Sequence, residues 1–191
     1  MELPRGVLRF NSIIFYHRQP KYPGSALIRL LPTLEQELHV QSLDSASRAL
    51  CCDFFTEIIA RHAAWIVQAG DQFTSLIISA FDGETDPRVL MKHFQLIALL
   101  QSKLFPGQSQ HLWDEILDVI ACYFPVEFDP DEKDKITRAD LSSSLNQALV
   151  AGLKSGSPMA KKRHSGTLIE LIIEKIHSDS AQVFLVKPFI F

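Results

Sequence analysis

The chain has 191 residues, enough for one domain or one stretch of a longer array, and enough to bury a sizeable core. Hydrophobic residues make up 47% and charged residues 21%, the balance of an ordinary folded chain. A net charge of −3 and an isoelectric point near 6.1 argue against the broad positive footprint of a general nucleic-acid binder, while leaving room for a local basic patch.

Residues 1–23 form a segment that periodicity does not place. Val7 to Tyr16 mixes apolar and β-branched residues, and Pro20 and Pro23 break the backbone after it. Met1 to Tyr16 lacks a long apolar region followed by a small-residue cleavage site, so no signal peptide is predicted. A helix is predicted over 25–38, with Leu27, Leu30, Leu31, Leu34 and Leu38 on one side. Pro32 must kink or split it, because proline has no amide proton and its ring clashes with the preceding turn.

Six amphipathic stripes follow in three pairs. In each, apolar residues recur three and four apart, the spacing of one helix face. The first pair carries Leu50, Cys51, Phe54, Phe55, Ile58 and Ile59, then Phe73, Leu76, Ile77, Ala80 and Phe81. The second carries Leu90, Phe94, Ile97 and Ala98, then Leu112, Trp113, Ile116, Leu117 and Ile120. The third carries Leu141, Leu145, Ala148 and Leu149, then Leu168, Leu171, Ile172 and Ile176. None reaches the roughly 18 apolar residues of a transmembrane helix.

Local signals punctuate the stripes. Asp86 is placed to cap a helix N-terminus, with Pro87 at the first helical position. Thr137 with Asp140, and Thr167 with Glu170, have capping-box spacing. Asp82-Gly83 and Pro106-Gly107 close helices, and Gly152 is predicted to be a C-terminal cap. The stretch 125–135 is predicted to be an acidic loop, and Lys154 to Gly166 a mobile Ser/Gly/Lys-rich loop. Residues 181–191 form an apolar tail that contains Pro188.

First helices beginning near Asp44, Asp86 and Arg138 place successive pairs 42 and 52 residues apart (44 to 86, 86 to 138). Two-helix units of roughly 40–47 residues are the signature of HEAT and armadillo arrays. The expected fold is therefore all-α: a HEAT/armadillo-like α-solenoid over residues 24–180, a right-handed stack of antiparallel helical hairpins. Such arrays are binding surfaces and rarely catalyse anything.

Candidate chemistry is sparse. Asp129, Asp131 and Asp140 invite comparison with an EF-hand, but the sixth and twelfth positions counted from Asp129 hold Asp134 and Asp140 where glycine and glutamate belong. Cys51 and Cys52 are adjacent on a helix, about 100° apart, and cannot both face one metal. Cys122 has no cysteine or histidine at ligand spacing. Three cysteines without a CxxC pair read as reduced, buried thiols of the cytosol or nucleus. His17, His39, His62, His93, His111, His164 and His177 form neither HxxxH nor HExxH, and no nucleophile elbow or glycine-rich phosphate loop occurs. No catalytic, cofactor-binding or metal residue is predicted. Lys161 to His164 reads as a solvated basic run, with nuclear localisation or a nucleic-acid contact as the alternatives. Trp65 and Trp113 are expected to anchor the core.

Particular strings go beyond pattern. His39-Val40-Gln41-Ser42-Leu43, Phe81-Asp82-Gly83-Glu84-Thr85-Asp86-Pro87-Arg88 and Cys122-Tyr123-Phe124-Pro125-Val126-Glu127-Phe128 occur in that order. Thr137-Arg138-Ala139-Asp140-Leu141 with Leu145, and Leu171-Ile172-Ile173-Glu174-Lys175-Ile176, continue the series. Over residues 33–180 the chain resembles the N-terminal domain of the MMS nineteen family of HEAT-repeat proteins. The resemblance implies a non-enzymatic adapter of the cytosolic iron–sulfur assembly targeting complex, found in nucleus and cytoplasm. Its implied partners are the other targeting subunits and apoprotein clients in DNA repair, replication and transcription, with no direct nucleic acid, no membrane and no cofactor. The family chain is far longer, so this one is expected to be a partial product, a splice variant or a mispredicted gene. The matched strings read as structural, and no family binding residue carries over. Two other readings stay open: an unrelated helical-repeat module of transport or trafficking, and a metal-dependent enzyme built on Asp129 and Asp131.

Overall fold

A computed structural model of the protein describes residues 24–69, 71–104, 110–126, 131, 133, 135–155 and 161–174. Helix α1 spans Gly24–Glu37 and leads through a 3-10 turn, Val40–Ser42, into α2, Ser45–Ala69. Then follow α3 (Gln72–Phe81), α4 (Pro87–Leu104), α5 (Gln110–Ala121) and α6 (Arg138–Ser155). A further helix, α7, covers 161–174. No strand occurs among the described residues.

Local chemistry explains where the first helix of each hairpin begins. At α2, the Ser47 amide donates to Asp44 Oδ1 at 2.9 Å. At α4, the Arg88 amide donates to Asp86 Oδ1 at 2.9 Å, and Pro87 occupies a position whose amide would have no partner. At α6, the Thr137 amide donates to Asp140 Oδ2 at 2.9 Å and the Asp140 amide to Thr137 Oγ1 at 3.1 Å, a reciprocal box. Helix α3 stops at Gly83, whose φ of +74° suits a residue without a side chain.

The helices form two layers. In one, α4 packs extensively along α2 on one side and α6 on the other. These three run parallel. Asp53 of α2 pairs with Lys92 of α4, and Gln101 of α4 meets Gly152 of α6, near the C-terminal end of each. In the other layer α3 packs on α5, and Arg163 of α7 pairs with Asp114 of α5 at 3.1 Å. Helix α7 returns antiparallel to α6, since His164 lies against Leu149 and Gly152. The repeating unit is thus a hairpin, α2/α3, α4/α5 and α6/α7, and the all-α stack of hairpins is the observed architecture.

The core lies between the layers. Phe55 of α2 meets Phe73 and Phe81 of α3 edge-on, with ring centroids 5.8 and 6.3 Å apart. Trp113 and Leu117 fill the same layer from α5, and Leu141, Leu145 and Leu149 from α6. Leu31 and Leu34 of α1 are buried and Pro32 sits inside that helix, whereas the side chains of Leu27 and Leu30 lie outside the described residues.

Several sequence expectations are corrected. Helix α2 runs past Ile59 to Ala69 through a bend at His62, whose φ and ψ are −128° and 22°. The bend resets the helical phase, so Ile66 turns inward and Trp65 outward, 41% exposed. Leu50 falls just outside the arc set by Cys51, Phe54, Phe55 and Ile58, and it is 47% exposed. Gly152 is not a cap: it lies within α6, which continues to Ser155. Lys154 to Gly166 is not one loop. Lys154 and Ser155 end α6, and 161–166 already belong to α7. Thr167 therefore sits inside a helix, its hydroxyl bonded back to the Arg163 carbonyl at 3.3 Å, and it caps nothing. The segments 1–23 and 181–191, with Pro106-Gly107, Asp129, His17, Ile176 and His177, lie outside the described residues.

Candidate interaction surface

The best-tied part of the molecule is a clamp at the turns between hairpins. Arg48 of α2 donates from Nε to Glu84 Oε2 at 2.7 Å and from Nη2 to Glu84 Oε1 at 3.0 Å. Its Nη1 reaches the Leu43 carbonyl at 2.8 Å. Glu84 Oε1 also accepts the amides of Thr85 and Asp86 at 2.9 and 2.8 Å. The Tyr123 hydroxyl donates to the Glu84 carbonyl at 3.1 Å, and burial pushes its pKa up to about 12. Gln41 adds a bond to the Asp82 carbonyl at 3.0 Å. The Glu84 carboxylate therefore ties α2 to the α3–α4 turn, Arg48 and Gln41 add the 3-10 turn, and the Glu84 main-chain carbonyl takes up Tyr123 just past α5. From the quoted strings, Gln41, Leu43, Asp82, Glu84, Thr85, Asp86 and Tyr123 take part in this clamp. Beside it, the Arg88 guanidinium holds the Asp86 carboxyl down at about 2.

A second polar seam lies deep in the stack. His93 is fully buried between Phe81 and Phe94, and neither ring nitrogen has a hydrogen-bond partner. Burial alone lowers its pKa to about 3. Gln101 is also fully buried, with its amide unpartnered. His164, 4% exposed, bonds the Leu149 carbonyl through Nε2 at 3.3 Å and stands edge-on to Trp113. Desolvation lowers its pKa. A basic run misassigned to a loop thus contains a core residue. Its signal was present in the sequence, since His164 lies four residues before Leu168.

The cysteines divide. Cys51 and Cys52 are buried, and desolvation pushes both thiols up, Cys51 to about 12. Cys122 is exposed instead, its thiol directed at the Asp118 carbonyl at 3.2 Å, because it lies in the turn just past α5. Asp131 is exposed and pairs with Lys133 at 2.9 Å, while the Asp140 carboxylate is occupied in the α6 capping box. Among the described residues no group of three His, Cys, Asp or Glu side chains is placed to hold a metal ion. No helix there is long and apolar enough to cross a membrane.

What remains is surface. Leu50 and Trp65 are exposed on α2, Val150 on α6, and Ile169, Ile172 and Ile173 on α7. A shallow groove of about 690 Å³ follows α6 from Ala139 to Ser155, with Ser102 of α4 on its wall. Small side chains, among them Ser142, Ser143 and Ala151, keep it open.

Residues 9–185 match the MMS19 N-terminal family model, described as Dos2-interacting transcription regulator of RNA-Pol-II. The chain belongs to the MMS19 family. It is 31% identical over 159 residues to the MMS19 nucleotide excision repair protein homolog of Homo sapiens, covering 82% of this chain and 14% of the human one. With the Arabidopsis thaliana homolog the identity is 33% over 148 residues, 75% of this chain and 12% of that one. With the Dictyostelium discoideum homolog it is 26% over 181 residues, 90% and 16% of the two. The MMS19-family match thus extends past both ends of the 33–180 span that the quoted strings marked. It also removes the reading of an unrelated transport or trafficking module. This chain spans only a small part of the length of the MMS19 homologs it matches. No solved structure matches it.

Proposed function

We propose that the chain is a non-catalytic protein-interaction scaffold, the N-terminal part of an adapter that brings the cytosolic iron–sulfur assembly machinery to apoproteins of DNA repair, replication and transcription. It works in nucleus and cytoplasm through protein partners, the other targeting subunits and their clients. The observation that supports this reading most is the MMS19-family match over residues 9–185 of a chain built from stacked hairpins. The relatives' printed names, as nucleotide excision repair homologs, agree with clients in DNA metabolism. Stacked hairpins present long open faces, which suits docking better than turnover.

Affinity purification tests it. The chain, alone and grafted in place of the matching segment of a full-length adapter, is used as bait for purified targeting subunits and client enzymes. Retention of at least one subunit or client is expected. Recovery of none by the grafted adapter, when the unaltered adapter recovers them, overturns the reading.

A further inference from the structure

Where the end of α1 and the 3-10 turn meet α3 there is a pocket of about 250 Å³. Its apolar lining is Leu38, Val40 and Leu76, of which Val40 and Leu76 are buried. Its polar lining is Glu35, His39 and Gln41 on one side and Ser75 and Ser79 of α3 on the other. Cross-links hold the two sides together. Gln72 Nε2 donates to Glu35 Oε2 at 2.8 Å, and Gln41 Nε2 donates to the Ser79 and Asp82 carbonyls at 3.5 and 3.0 Å. The His39 carbonyl accepts the Ser42 amide at 3.0 Å and its hydroxyl at 2.7 Å, which fixes the turn that carries the exposed His39 ring. Within the string His39–Leu43, the His39 ring thus has no part in the clamp, yet it lines the pocket. Among the described residues, Glu35 supplies the one carboxylate of the lining, and no lysine or arginine lines it. Glu35 Oε1 and Gln41 Oε1 have no hydrogen-bond partner there.

We propose that this pocket receives a lysine side chain of a protein partner, its ammonium on Glu35 and its methylene stem over Leu38, Val40 and Leu76. A lining with one negative charge, open acceptors and no fixed cation calls for a cationic guest. The apolar floor calls for a stem that buries methylenes while its charged head stays at the polar rim, as lysine does. Arginine fits less well. A guanidinium seeks both oxygens of one carboxylate, and Gln72 already holds one oxygen of Glu35. An ammonium takes its acceptors singly, from Glu35 Oε1 and from the oxygens of Ser75, Ser79 and Gln41. The volume suits one side chain, since pockets for drug-sized ligands run from roughly 300 to 1,000 Å³. That the guest belongs to a protein rests on the scaffold reading above. The two fail separately, because retention of subunits and clients by affinity purification is read without any peptide, and peptide binding is read without any subunit.

The probe is a fluorescein-labelled, amidated heptapeptide with one central lysine between leucines, followed by anisotropy against the full chain. Saturable binding is expected. The same peptide with norleucine for lysine, which keeps the stem and removes the ammonium, is expected to bind at least fivefold more weakly, and the arginine peptide several-fold more weakly. E35Q preserves the side-chain shape and an acceptor for Gln72. It is expected to weaken the lysine peptide at least fivefold, to leave the norleucine peptide unchanged and to keep the parent's thermal melting curve. H39A, at an exposed ring, is expected to weaken the lysine peptide as well, and serves as the second variant should E35Q melt early. E170Q, on α7, is expected to bind as the parent does. Equal binding of the lysine and norleucine peptides by the parent overturns the proposal, as does equal binding of the lysine peptide by the parent and E35Q. Tighter E35-dependent binding of the arginine peptide, or of 1,6-diaminohexane as a free amine, overturns it too.

Discussion

At the residue scale, Gly152 and His93 are the most exacting positions. A Cβ on Gly152 would stand 2.7 Å from Gln101 Oε1 and 2.7 Å from His164 Nε2. Alanine there gains about 1 kcal/mol of helix propensity, but the overpacking outweighs it at roughly 1–3 kcal/mol. Gly152→Ala is therefore expected to lower stability by up to about 2 kcal/mol in urea unfolding. His164→Ala removes one of the two obstructing side chains, so the same substitution is expected to be milder in that background; equal losses in both would show that His164 is not the obstacle. His93 has a folded pKa of about 3 against an ordinary 6.5. The neutral ring is the form the fold accepts, so its full stability is present above pH 6.5 and declines as pH falls from there toward 3. At roughly 1.4 kcal/mol per unit, about 2 kcal/mol is lost by pH 5. His164 titrates in the same direction. His93→Leu removes two unpartnered buried nitrogens. It is expected to match the parent at pH 7 and to flatten the acid limb in pH-dependent melting, and an unchanged acid limb would assign the titration elsewhere.

At the scale of elements, the hairpins are held in register by the turns between them. Glu84 is 4% exposed at its side chain and carries the clamp. Removing one partner of a buried ion pair leaves the other charge unpaired, at about 3–5 kcal/mol. Glu84→Ala is expected to cost about that much in chemical denaturation, and a loss under 1 kcal/mol would refute the clamp. The helix starts at Asp86 and Thr137 were legible in the sequence because a cap is made by neighbours two or three residues away. The stripes were legible because burial follows a fixed period. Gly152 was misread because both a cap and a close helix contact select glycine, and only the fold says which. Lys154 to Gly166 was misread because its Ser, Gly and Lys content resembles a loop, while tertiary contacts by His164 and Leu168 hold it helical from 161. Trp65 was misplaced because a bend at His62 shifts the phase without any proline or glycine to announce it. The clamp was half legible: its strings stood out, but its pairing of Arg48 with Glu84 spans 36 residues.

At the scale of the molecule, α7 exposes Ile169, Ile172 and Ile173 among the described residues, while Leu168 points inward. A solenoid covers such a face with its next unit, and an isolated array end is sticky. The chain is expected to self-associate, with Ile169→Lys and Ile172→Glu together restoring a monomer in sedimentation velocity. A monodisperse monomer of the unaltered chain at high concentration would contradict this. Everything said of docking faces depends on α4 lying directly beside α2 and α6 and running parallel to both, as stacked hairpins require; in an up-and-down bundle the flanking neighbours of α4 are the antiparallel α3 and α5. Spin labels at positions 103 and 154, and at 88 and 154, measure this directly by electron–electron dipolar spectroscopy. Adjacent parallel helices about 10 Å apart give a short 103–154 distance, and 15 residues of helix add about 22 Å of offset to the 88–154 pair. The reverse order, with 88–154 the shorter, would show antiparallel neighbours and contradict the stack.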